Sequence, residues 1–211
     1  MALQFLVDGP EKSKCSILLA HGAGAPMDSP AMDAITRSLA EVGLRVARFE
    51  FGYMASHRTS SSRKPPPRAE TLCPEYVAAI AALKARGPLI IGGKSMGGRV
   101  ASMIADEHRA AGLLCLGYPF HPVSKPTQLR TAHLAELRTP TLIVQGTRDP
   151  FGGPDEVREA IADADPAPPI EVMTVEGGDH SFAVLKSSGR DQASVHKEIQ
   201  DAVAAWIATR R

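Results

Sequence analysis

Gly93-Lys94-Ser95-Met96-Gly97 follows the apolar run Leu89-Ile90-Ile91 and opens a stretch, Met96, Val100, Met103 and Ile104, with helical spacing. A serine between two glycines, with strand before and helix after, is the layout of a nucleophile elbow. The reason is steric. Reversing from strand to helix within one residue forces the serine into a strained conformation and presses together the residues two before and two after it, so both have to lack bulk. The turn then lifts the hydroxyl above the sheet. Gly93-Lys94-Ser95 is also how a phosphate-binding P-loop ends, but that loop needs a glycine five residues before Gly93, where Pro88 stands. It also needs turn residues where Leu89-Ile90-Ile91 reads as strand.

A serine hydroxyl is a poor nucleophile at neutral pH, so it needs a histidine to take its proton and a carboxylate to fix that histidine's tautomer. Downstream, Pro140-Thr141-Leu142-Ile143-Val144-Gln145-Gly146 reads as a buried strand running into Asp149, and Ile170-Glu171-Val172-Met173-Thr174-Val175 as another running into His180. Ser95, Asp149 and His180 therefore follow successive strands, at the carboxyl edge where open α/β sheets bind ligands. Two rivals stand nearby. Asp179 adjoins His180 and has a poor path to the far side of that ring. His121 follows the strand near Leu113 to Leu116 but precedes the acid, out of the expected order. The oxyanion that forms on an attacked carbonyl needs donors. Strand Cys15 to Ala20 ends in His21-Gly22-Ala23-Gly24-Ala25, small residues that let backbone N–H groups approach a ligand. The backbone N–H groups of Ala23 and Met96 are the expected pair, with Gly24 as substitute for Ala23 and the His21 side chain bracing the loop.

The chain resembles compact α/β-hydrolases of the dienelactone-hydrolase-like group, and more narrowly the small bacterial hydrolases similar to the hydrolase-like domain of testis-expressed protein 30. The likeness rests on His21-Gly22-Ala23-Gly24-Ala25, Gly92-Gly93-Lys94-Ser95-Met96-Gly97-Gly98-Arg99, Gly117-Tyr118-Pro119-Phe120-His121-Pro122, Gln145-Gly146-Thr147-Arg148-Asp149-Pro150 and Gly178-Asp179-His180-Ser181-Phe182. It implies the α/β-hydrolase fold and the Ser95, Asp149, His180 triad, and says much less about substrate.

Length and composition agree with one such domain over residues 1–211: 44% of residues are apolar and 22% charged, enough for a single large core. A net charge of +1 gives no reason to expect nucleic acid or a membrane surface as partner. No apolar run approaches the roughly 20 residues of a membrane span, and Met1 to Pro10 lacks the basic start and apolar stretch of a secretion signal. Three cysteines, two in expected buried strands, point to thiols in a reducing compartment, so a cytoplasmic protein is expected. No metal-ligand spacing is present and no cofactor is implied; the oligomeric state is not readable.

Strands are expected near 3–7 (an edge), 15–20, 44–51, 88–94, 111–117, 140–146 and 170–176, with helices near 30–42, 72–86, 96–108, 154–164 and 191–209. This alternation predicts a mostly parallel twisted sheet covered on both faces. Trp206 is expected as a core anchor. Ser56 to Ala69 holds four basic residues and no acid; it reads either as a solvated loop with a polyproline-like end or as a basic rim for anionic substrates or an acidic partner. Only 20 residues, Pro119 to Arg138, separate the fifth strand from the sixth, with Thr127 to Leu137 expected as a short helix. That leaves minimal or no cap and an open, shallow pocket walled by Tyr118, Phe120, His121 and Phe182. The expected activity is a serine hydrolase acting on a small ester or thioester. The alternative is a catalytically weak hydrolase-fold module for protein interaction.

Overall fold

The structure, a computed structural model, describes residues 3–60, 65–164 and 169–210. Seven strands form one sheet: β1 (Phe5–Asp8), β2 (Ser16–Ala20), β3 (Arg45–Phe49), β4 (Leu89–Lys94), β5 (Gly112–Leu116), β6 (Thr141–Gly146) and β7 (Glu171–Val175). Their spatial order is β1-β3-β2-β4-β5-β6-β7. Only β1 runs antiparallel, against β3; the others pair in parallel, with Ala20 beside Gly93 where β2 meets β4.

The central strands are apolar throughout because both faces are covered. Along β2, Leu18 and Ala20 face one core while Ile17 and Leu19 face the other, the two-residue alternation of a strand. Helices α3 (Cys73–Leu83), α4 (Met96–Ser102) and α5 (Pro154–Ala164) cover the first face, and α1 (Pro30–Glu41) and α6 (Gln192–Ala208) the second. Trp206 is 5% exposed and sits in the second core. Asp191 caps α6 by accepting from Ser194 N at 2.7 Å.

Chain order reverses at β2: β3 lies on one side of it and β4 on the other. Such a switch point leaves a crevice at the carboxyl ends of the strands. The loops after β2 and β4, carrying Ala23 and Ser95, both open onto it.

Three local expectations need correction. The helix after Ser95 ends at Ser102 instead of about 108, because Met103 N and Ile104 N bond back only three residues, to Val100 O and Ala101 O. Thr127 to Leu137 forms only a 3₁₀ turn, Ala132–Glu136. Its polar start, Thr127-Gln128, has no apolar stripe to bury, and Arg130 N is drawn to Phe120 O at 2.7 Å. Within the stretch expected as strand to residue 51 and loop beyond, β3 stops at Phe49 and a short helix, α2 (Gly52–His57), follows, anchored by buried Phe51 and Met54.

Candidate active site

Ser95 leaves β4 at φ 51°, ψ −116°, a backbone region that a side chain adopts only under constraint. The constraint is the close approach of its neighbours. A Cβ on Gly93 would lie 2.4 Å from Ala20 O, and one on Gly97 2.5 Å from the same oxygen. Ser95 N continues the sheet ladder past the strand end by donating to Leu116 O at 3.0 Å.

Asp149 lies just beyond β6 with its side chain wholly buried, and His180 just beyond β7 with its side chain 20% exposed. The His180 Nδ1 to Asp149 Oδ2 distance is 2.7 Å. The same carboxylate accepts from Gln145 Nε2 at 2.9 Å and, through Oδ1, from Phe151 N at 2.9 Å. An Nδ1–H pointing at this carboxylate leaves Nε2 as the acceptor of the ring. The rivals are engaged elsewhere. Asp179 accepts from Ser181 N and Ala183 N, closing its own turn. His121 is buried, 3.2 Å from Glu156 Oε2 and 3.0 Å from Pro122 O. Among the described residues Ser95 Oγ has no hydrogen-bond partner, so the structure joins Asp149 to His180 and leaves the link from Ser95 to His180 open. Such links often tighten only with substrate present.

Ser95, Ala23 and Met96 line one cavity of about 600 Å³. Gly24 lies outside its lining, with nothing within 4 Å of the place where its Cβ would be. The loop bearing Ala23 is held from behind. His21 is fully buried, its Nδ1 2.6 Å from Gly22 O and its Nε2 accepting from Phe51 N at 3.2 Å. Burial lowers its pKa and keeps the ring neutral. Tyr53 Oη donates to Ala23 O at 3.0 Å.

The expected pocket wall is not the observed one. Tyr118, Phe120 and Phe182 are 0–1% exposed and belong to the two cores, and His121 is buried against Glu156. An aromatic ring gains about 2–3 kcal/mol by full burial, and these residues turn back onto the sheet to obtain it. The cavity is instead walled by Phe151, Arg68, Arg99, Arg130 and His133, among others. Phe151 packs on the His180 ring, centroid to centroid 4.5 Å.

Three further features lay outside the sequence reading. Gln145, fully buried, ties Asp149 to Tyr118 N, 2.9 Å from Oε1, and to Gly152 O, 2.7 Å from Nε2; an amide inside an otherwise apolar strand was the available signal. Lys94, inside the elbow, is 8% exposed, and its ammonium is buried without a hydrogen-bond partner among the described residues. Desolvation pushes its pKa down to about 8, against the opposing pull of Asp149 and Asp179. The basic stretch is partly neutralised at its start. Arg58 sits between Glu50 and Asp28, with Nη2 2.7 Å from each, whereas Arg68 reaches the cavity and Arg63 and Lys64 lie outside the described residues.

Among the described residues no cluster fit to hold a metal ion is present, and no helix is long and apolar enough to cross a membrane.

Comparison with known proteins agrees with this architecture. The dienelactone hydrolase of Anabaena variabilis superposes with a TM-score of 0.73 at 18% identity, over 98% of this chain and 91% of that one. A lidless serine hydrolase from Xanthomonas campestris superposes with a TM-score of 0.72 at 18% identity, over 97% and 89%. In sequence, 167 residues are 26% identical to the rat protein named "Putative protein-lysine deacylase ABHD14B", covering 78% of this chain and 74% of that protein. Residues 13–208 match the family described as "Alpha/beta hydrolase domain". With that match spanning nearly the whole chain and the sheet order and elbow described above, the protein belongs to the α/β-hydrolase family.

Proposed function

We propose that the protein is a serine hydrolase that cleaves a small ester or thioester through an acyl-enzyme, with Ser95 as nucleophile, His180 as base and then acid, and Asp149 as the residue that orients the ring. The observation that carries this reading is the 2.7 Å bond between buried Asp149 and His180, at the sheet edge where Ser95 is held in its strained turn. Ser95 Oγ attacks the carbonyl carbon as its proton passes to His180 Nε2. The oxyanion is held by the N–H groups of Ala23 and Met96. Collapse breaks the bond to the alcohol or thiol, which leaves with the proton from Nε2, and water repeats the sequence to release the acid and restore Ser95. The name of the rat relative, a deacylase, points to acyl removal within the same family. Labelling by a serine-reactive fluorophosphonate tests the proposal. Reaction of the folded protein at Ser95, lost in Ser95→Ala, is expected. Absence of labelling would favour the alternative, a hydrolase fold kept for protein interaction.

A further inference from the structure

The wall of the cavity facing Ser95 carries more positive charge than it can neutralise. Among the described residues lining it are three guanidinium groups, Arg68, Arg99 and Arg130, and a single carboxylate, Glu70. Glu70 is already committed: Arg99 Nη2 lies 2.6 Å from its Oε1 and Arg68 Nε 3.8 Å from its Oε2. Among the described residues Arg99 Nε is buried without a hydrogen-bond partner, and the Arg130 side chain makes no hydrogen bond or ion pair. His133, the other titratable group on this wall, adds no negative charge; burial pushes its pKa down to about 4, so it is neutral at pH 7. The surplus is local, because the whole chain carries only +1.

Two guanidiniums on one wall repel each other, and both burial and the charge of Arg99 act against the charged form of Arg130. An anion between them would offset that repulsion and accept from the unpaired Arg130 guanidinium. Guanidinium forks match carboxylates in geometry as well as charge. Position adds a length. Arg99 N bonds Ser95 O, so the backbone of the arginine lies one helical turn, about 5.4 Å, from that of Ser95, and both side chains line the one cavity.

We infer that the preferred substrate is an ester or thioester carrying a second, ionised carboxylate a few carbons from the scissile carbonyl, received by Arg99 and Arg130. The inference rests on the hydrolase reading above for turnover, but not for binding. The hydrolysis test compares mono-p-nitrophenyl glutarate, charged on the acyl side, with p-nitrophenyl valerate. A second pair, 4-acetoxybenzoate and phenyl acetate, places the charge on the leaving group. A charged ester should be favoured in kcat/KM by about tenfold in at least one pair, since a charge-assisted guanidinium–carboxylate contact is worth about that factor. The preference should shrink toward unity in Arg130→Gln and at high salt, and persist in Arg37→Gln, outside the cavity. Equal rates in both pairs, or a preference that survives Arg130→Gln, would overturn it. Binding of glutarate to Ser95→Ala, followed by calorimetry, is read without catalysis: binding that weakens about tenfold when Arg130→Gln is added supports the site even where no ester is turned over, and no binding, or binding indifferent to Arg130, refutes it. If Arg130→Gln fails to fold, Arg130→Lys takes its place, with a partial loss expected because lysine keeps the charge and loses the fork.

Discussion

The floor and the wall of the cavity are made differently. The floor, Ser95 after β4 and Ala23 after β2, consists of residues one to three positions beyond strand ends, and Asp149 and His180, outside the cavity lining, follow β6 and β7 by three and five positions. Each is fixed by bonds that prolong the sheet or its loops, such as Ser95 N to Leu116 O and Gln145 Nε2 to Asp149 Oδ2. The wall comes from loops, Pro66 to Glu70 and Gln128 to His133, together with Arg99 from α4. A strand end is positioned by the whole ladder behind it, whereas a wall residue is positioned by a few local contacts. Chemistry should therefore be concentrated in the floor and selectivity in the wall, and substitutions in the two regions should differ in size and kind.

The largest effect belongs to the strand ends. Asp149→Asn should leave the fold intact and lower kcat by about 10⁴, because the amide favours the wrong tautomer of His180. Asp179→Asn, which loosens only a turn, should cost far less. Activity assays of the two purified variants decide between them, and a reversed order would mean that the 2.7 Å bond of Asp149 is structural.

Lys94 sharpens the contrast from the side of stability. Its pKa falls from an ordinary 10.5 to about 8 in the folded chain. Below pH 8 both folded and unfolded states carry the charge, so folding suffers the full desolvation penalty there. Between pH 8 and 10.5 the folded state loses its proton first, and stability should rise with pH. Lys94→Met should thus raise stability at pH 7 by about 3 kcal/mol, or Tm by roughly 5–10 °C, with the gain shrinking by pH 10. Thermal melts at the two pH values test this, and a destabilised Lys94→Met would show that the ammonium has a partner worth more than its burial costs. A charge kept at such a cost inside the elbow is the expected mark of a site held for function.

Effects in the wall should be smaller. On a p-nitrophenyl ester series kcat/KM should peak between acetyl and butyryl and fall by octanoyl, because an open cavity offers each added methylene little of the ~0.8 kcal/mol that full burial gives. A steady rise out to dodecanoyl would mean that a closed apolar tunnel exists. The smallest effect concerns His133, held 2.8 Å from Ser102 Oγ with its pKa lowered to about 4 by burial. The unfolded histidine gains its proton near 6.5, so stability should fall between pH 6.5 and 4. His133→Gln should flatten that slope by about 1 kcal/mol, a figure kept low because the ring is partly solvated.

What the sequence revealed divides along the same line. All seven strands and the elbow were legible because strand periodicity and the need for small residues at 93 and 97 are local properties. Asp149 and His180 stood out as candidates because each lies within five residues of the end of a recognisable strand. The wall was not. Tyr118, Phe120 and Phe182 were assigned to it because aromatic residues after strands look alike in sequence whether they turn toward ligand or toward the core. Arg130 and His133 were overlooked because only long-range packing, such as Arg130 N on Phe120 O, brings their loop to the cavity that Ser95 lines. Gln145 and Lys94 lay within recognised motifs, but their contacts cross from strand to strand and no spacing rule reports them.

The central claim, that Ser95 carries the acyl group, is tested most directly by trapping the intermediate. The protein is mixed with p-nitrophenyl acetate, quenched in acid within the burst, digested and analysed by mass spectrometry. An acetyl group on Ser95, absent from Ser95→Ala and strongly reduced in His180→Ala, is the predicted result. Acetylation found on another residue, or hydrolysis undiminished in Ser95→Ala, would contradict the account.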